Sequence, residues 1–171
     1  MKRFIFAAVV ILSWSGGARA QWAARVEEDI LTDGKTGTLT GLISLQQAIY
    51  VTCSTGGDLS FAYLEKGDWD DAMSIVPMKI AVKIDDGEKV WLDARAYHHN
   101  DQYFGIKSTD EKLIKKILSG LSTGRRKLLF GLKSDVGDVS VSGSMGLSGS
   151  TSATRKFVSG CKLDLTPDIE D

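Results

Sequence analysis

Between residues 78 and 97 apolar and polar side chains alternate with a period of two, and a long run of that kind admits only one local structure. Met78, Ile80, Val82 and Ile84 alternate with Lys79, Ala81 and Lys83; beyond Asp85-Asp86-Gly87, Val90, Leu92, Ala94 and Ala96 alternate with Trp91, Asp93, Arg95 and Tyr97. Successive side chains of a strand point to opposite faces, so the two runs form a hairpin with one buried face. Gly87 is the residue expected to take a positive φ in its turn. Weaker alternation marks further strands over 22–28, 36–44, 48–54, 58–64, 103–107, 127–132 and 138–142. Turns are expected at Asp33-Gly34, at Gly56-Gly57 and over 135–137. In the run 48–54, Ile49, Val51 and Cys53 share one side while Tyr50 and Thr52 share the other.

Two helices interrupt this pattern. Ser108-Thr109-Asp110-Glu111 has the capping-box spacing, after which Leu113, Ile114, Ile117, Leu118 and Leu121 fall on one face and Lys112, Lys115, Lys116 and Ser119 on the other. Gly120 and Gly124 offer stop positions. The Gly/Ser-rich stretch 143–152 reads as a loop. It leads to a short amphipathic helix through Ala153, Phe157 and Val158, started by Ser150 or Thr151 and ended by Gly160. The expected fold is mainly β with α: an antiparallel β-sandwich or curled sheet with one packed helix and a short C-terminal one.

Residues 1–20 read as a secretory signal peptide. Lys2 and Arg3 precede an apolar run from Phe4 to Trp14, and Ala18-Arg19-Ala20 has the small-x-small cleavage pattern. The run is too short for the roughly 20 residues that cross a bilayer, so no membrane span is expected. Cleavage would leave one domain over residues 21–165 and a short acidic tail over 166–171. The cleaved segment would take three of 21 basic residues and none of 22 acidic ones, leaving 18 − 22 = −4. So mild a charge argues against nucleic acid or anionic lipid as the main partner. The only cysteines, Cys53 and Cys161, both follow the cleavage point. An even count in an oxidising compartment favours a disulfide, and neither has a second cysteine at the spacing of a zinc site.

The order of these features resembles a family. Trp22 near the mature start, a strand ending in cysteine (Ile49 to Cys53), a strand running from Ile80 into the Asp86-Gly87 turn, a helix ending in Leu121-Ser122-Thr123-Gly124, and Gly146-Leu147 leading through a helix to Cys161 are similar to the periplasmic accessory proteins of type VI secretion. The chain departs from that layout at Lys83, where arginine is expected, and over residues 66–76. The resemblance implies an interaction protein with no catalytic residues to carry over.

Each candidate for chemistry has a plain alternative. His98-His99 lies where an exposed loop is expected, and adjacent side chains in extended backbone point apart, which opposes joint metal chelation. Ser144 to Gly149 lacks the five-residue nucleophile elbow. Asp68, Asp70 and Asp71 flank Trp69, whose indole would suit a partner or a sugar ring, but a calcium loop's ligand spacing is absent. Arg125, Arg126 and Lys127 form a basic cluster fitted to a phosphate or acidic partner, or to protecting an edge strand. Trp91, Tyr97, Tyr103 and Phe104 gather near the central hairpin, where core packing is the stronger reading.

No catalytic residue, metal ligand or cofactor is expected. The expected function is that of an exported, non-catalytic binding or accessory protein of the bacterial envelope, periplasmic or secreted and associated with secretion. Its expected partner is an envelope protein rather than nucleic acid, with Trp69, Arg125, Arg126 and Lys127 as the binding residues. One alternative is an inhibitor of a cell-wall hydrolase; a more remote one is a carbohydrate hydrolase using Asp70 or Asp93.

Overall fold

The computed structural model describes residues 21–30, 34–54, 58–134, 136 and 140–166. The proposed leader, the glycines of the 56–57 turn, Asp33, most of the 135–139 turn and the tail beyond Thr166 lie outside them. Among the described residues nine strands form one antiparallel sheet: β1 (Trp22–Asp29), β2 (Gly34–Leu42), β3 (Gln47–Ser54), β4 (Leu59–Lys66), β5 (Pro77–Ile84), β6 (Lys89–Asn100), β7 (Tyr103–Ser108), β8 (Lys127–Ser134) and β9 (Ser140–Gly146). Their order across the sheet is β1-β2-β3-β4-β7-β6-β5-β8-β9. Of the two expected arrangements, the curled sheet is the one observed.

The alternation that marks the strands also decides the packing. Ile80, Val82, Leu92, Leu128, Phe61 and Tyr63 are buried on one face together with Ile49 and Val51. Helices α1 (Glu111–Thr123) and α2 (Ser150–Gly160) cover that face: α1 lies on β4, β5 and β6, and α2 lies on β1 and β2. Ile114, Ile117, Leu118 and Leu121 of α1 are fully buried, and Phe157 anchors α2. The curl brings the start of β1 to the end of β9, where Trp22 Nε1 donates to the Gly146 carbonyl at 3.0 Å and the Gln21 amide donates to that of Ser148 at 3.1 Å.

The disulfide joins Cys53 of β3 to Cys161, the residue that caps α2, across 108 positions. Gly37 of β2 makes room for it, since a Cβ there would stand 2.8 Å from Cys53 Sγ.

Four local expectations are corrected. The cap of α1 is Asp110, whose carboxylate accepts the Leu113 amide at 3.0 Å. Ser108, expected to cap it, still belongs to β7 opposite Phe61 and is buried there. Positive φ in the β5–β6 turn falls on Asp85 (φ 48) rather than on Gly87, because three backbone amides grip the Asp85 carboxylate. The stretch expected as a loop after residue 143 continues β9 to Gly146, held by β8. Finally, α2 begins at Gly149 (φ 86), a conformation open to glycine, which leaves Ser150 inside the helix and buried.

Replacing Cys53 with serine is expected to cost about 2–5 kcal/mol, against a negligible effect of replacing His98 and His99 together. Thermal unfolding of the three proteins is the measurement, and equal small effects would refute the role given to the bond. Leu118→Ala is expected to cost about 2–5 kcal/mol. The half-buried Leu113 should cost clearly less, as chemical denaturation of both variants would show.

Candidate functional site

Among the described residues the two helices lie on one side of the sheet, so the outward residues of its strands form a second face with its own chemistry. Part of it is a small apolar cluster of Ala48, Ala62 and Leu64 beneath Tyr50, Tyr97 and Tyr103. Strand pairing assembles it: Ala48 lies opposite Leu64 and Tyr50 opposite Ala62 across β3–β4, while Leu64 lies opposite Gly105 across β4–β7 and Tyr97 opposite Gly105 across β6–β7. Gly105 has a packing role there, because a Cβ would overlap the Tyr97 ring and stand 2.8 Å from Leu64. The ring covers the glycine instead, as aromatic side chains often do across strands.

His99 lies two residues beyond Tyr97 on the same face, and a bulge between His98 and Asn100 sets Asn100 opposite Tyr103. Its ring meets Tyr50 edge-on at 5.3 Å and Tyr97 at 5.8 Å, and its Nδ1 lies 3.2 Å from the Tyr97 hydroxyl. Burial, and then the neighbouring His98, hold the His99 pKa below its ordinary value, which keeps the ring neutral. Burial, and then Tyr50, push Tyr97 up to about 12. Both rings are therefore uncharged near neutral pH.

Beside this cluster the β2–β3 connection is tied down along its length. Ile43 and Ser44 amides donate to the Gln47 carbonyl, the Lys66 amide to Gln46, and the Tyr103 hydroxyl to the Leu45 carbonyl at 3.1 Å. The result is a fixed loop that presents Leu45 at 87% exposure beside Leu42 at 55%. Together with Tyr50, His99, Asn100 and Tyr103 they line a shallow depression of about 400 Å³.

The residues expected to bind are spread elsewhere. Trp69 is half-buried against the core; its indole donates to Asp71 at 2.6 Å and faces the His98 ring at 6.0 Å. Asp70 caps the short 3-10 turn Asp71–Ile75 by accepting the Ala72 amide at 2.9 Å. Arg125, Arg126 and Lys127 point their amides at Asp85, at 2.8, 3.0 and 2.9 Å, and the Arg126 guanidinium also pairs with Asp86. Lys127 opens β8, which lies between β5 and β9 and so is not an edge strand, while Arg125 and Arg126 precede it. Roughly nine residues of β6 separate its turn end from His98, about 30 Å at strand rise, so Trp69 and the basic cluster do not share a site. The two histidines do point apart, but from a strand end and not from a loop.

Core packing, expected for Trp91, Tyr97, Tyr103 and Phe104, fails for the indole: Trp91 is 44% exposed on the outward face, and Tyr97 and Tyr103 sit half-buried there with it. The sequence signal for this was present in the hairpin's own alternation, which puts Trp91 and Tyr97 opposite Leu92 and Ala96. What it lacked was Tyr50, which long-range pairing supplies. Among the described residues no three His, Cys, Asp or Glu side chains gather to hold a metal ion. No helix among them is long and apolar enough to cross a membrane.

Comparison with protein-family models, with curated proteins and with solved structures found no match.

The Asp85 carboxylate is held below its ordinary pKa chiefly by the Arg125 and Lys127 amides, with further help from Arg126. A depressed folded value stabilises the native state above the unfolded pKa of about 3.9, and the contribution disappears as pH falls through the folded value. Acid unfolding of Asp85→Asn should accordingly lose part of the steepness seen in the parent below about pH 4. Superimposable acid transitions would show that the three amide bonds contribute nothing.

Proposed function

We propose that this chain is an exported, non-catalytic binding protein of the bacterial cell envelope, an accessory to secretion that recognises another envelope protein. Residues 1–20 would be its signal peptide, with cleavage after Ala20 leaving Gln21 first. The outward aromatic depression carries the reading. Tyr50, Tyr97 and Tyr103 are large amphipathic groups already immobilised by their neighbours, so a partner gains contact area at little cost in side-chain entropy. Leu42 and Leu45 add exposed apolar surface at the rim. The intramolecular disulfide fits an oxidising compartment.

One specific observation favours a second reading, inhibition of a cell-wall hydrolase: the fixed loop between β2 and β3 offers Ser44 and the protruding Leu45 as a plug for a cleft. Carbohydrate hydrolysis ranks last, since Asp70 serves as a cap and Asp93 pairs with Lys79 at 2.7 Å on an open strand face.

A photo-crosslinking residue at position 45, introduced in the producing cell, should yield one discrete adduct with an envelope protein, and Tyr50→Ala should abolish it. The same probe at Arg155, on the exposed side of α2, should yield none. Equal adducts from both positions would refute a dedicated face. A fall in lysozyme activity on adding the protein would favour the inhibitor reading instead.

A further inference from the structure

The outward face continues past the tyrosines onto β7, β6, β5 and β8, and there its character changes. Outward positions on these strands include Lys79 and Lys83, Lys89 and Arg95, Lys107, and Lys133, with Asp93 as their one acid. Strand register places several of these cations directly across from one another: Lys83 opposite Lys89, Arg95 opposite Lys107, and Lys79 opposite Lys133. Like charges at directly opposed positions disfavour a sheet; Asp93 answers Lys79 at 2.7 Å, while Lys83 opposite Lys89 and Arg95 opposite Lys107 concentrate positive charge on the face. A net charge of −1 for the whole chain conceals this face, where Asp93 is the outward acid on the strands and Asp85, Asp86 and Glu88 lie in the turn at its end.

Trp91 stands in the middle. Ala81 lies directly across from it and Gly131 across from Ala81, a row of small side chains that leaves the indole proud of the sheet. Lys89 and Lys133 each hold their ammonium over its ring, at 5.5 and 5.3 Å. An exposed indole amid lysines is the arrangement suited to the headgroup level of a bilayer, where the ring enters the interface and the cations meet lipid phosphates. Lysine outnumbers arginine here, as suits a diffuse field of point charges rather than fork-like recognition of single phosphates. Among the described residues, the face belongs to the side of the curled sheet that carries no helix.

We infer that this basic sheet face docks the protein peripherally on an anionic phospholipid bilayer, with Trp91 as the interfacial anchor. This goes beyond the protein-partner reading and stands whether or not that reading does. Docked so, the neighbouring tyrosine depression lies at the edge of the contact, joined to it where the Lys107 ammonium sits 4.8 Å over the Tyr97 ring.

The test compares the parent with Lys89→Gln/Lys133→Gln, with Trp91→Ala and with Arg25→Gln, all carrying the same amino terminus so that any leader contributes equally. Co-sedimentation is measured with vesicles of phosphatidylcholine containing phosphatidylglycerol and with vesicles of phosphatidylcholine alone. The parent is expected to partition onto the anionic vesicles and to be released by salt. Each basic side chain near a surface accounts for about a fivefold change in partitioning, so the double variant should lose about 25-fold. Trp91→Ala should weaken binding without altering its salt dependence, and Arg25→Gln, on β1 away from the face, should leave it unchanged. Near-UV circular dichroism establishes that the exposed variants remain folded. Equal partitioning onto both vesicle types, an equal loss in Arg25→Gln, or tighter capture of a duplex oligonucleotide than of anionic vesicles would each overturn the inference.

Discussion

Burial of one face of the sheet beneath two helices is the constraint on which the remaining structure depends. Strands present alternate residues to opposite sides, so committing Ile80, Val82, Leu92 and Leu128 to the interior commits Lys79, Lys83, Trp91 and Lys133 to the exterior. A slip of one residue would exchange the two sets and bury lysines against α1. The exterior therefore inherits its chemistry from the register that makes the core. Apolar tyrosines gather on β3, β6 and β7, cations on β5 to β8, and the two regions meet at Tyr97 and Lys107.

Small residues let large groups cross a sheet this tightly curled. Gly37 lies under the disulfide, Gly41 under the Trp22 ring with Met145 alongside, Gly143 under Phe130 and Gly105 under Tyr97. Each is a point where a bulky group of one strand passes over another's backbone, and a Cβ at any of them would force the two apart. The disulfide has a related role at longer range. It joins the third strand to the residue that ends α2, so the helix lying over β1 and β2 is held from its far end as well as through Phe157.

Much of this was legible in the chain before folding was considered. The 78–97 hairpin, the apolar stripe of α1, the short helix before Cys161 and the pairing of the cysteines all follow from local pattern or from counting. Errors arose where a residue had two competing uses. Ser108 has the chemistry of a cap but is spent in a strand, and the Gly/Ser run after Gly143 has the composition of a loop but is held as a strand by β8. The backbone of the basic cluster at 125–127 has a use that no local window shows, since Asp85, 40 residues before Arg125, accepts its amide.

What the amino-acid order determined alone is periodicity: which segments become strands or helices, and which side chains within each must share a face. Tertiary structure alone decided which faces lie side by side. Tyr50 of β3 is brought from a distant part of the chain to Tyr97, His99 and Tyr103 of β6 and β7, and Trp91 stands between lysines from β6 and β8. The physical reason is that pairing between strands far apart in sequence, such as β4 with β7 or β5 with β8, is a long-range choice made by packing, so no local window contains both partners of those contacts.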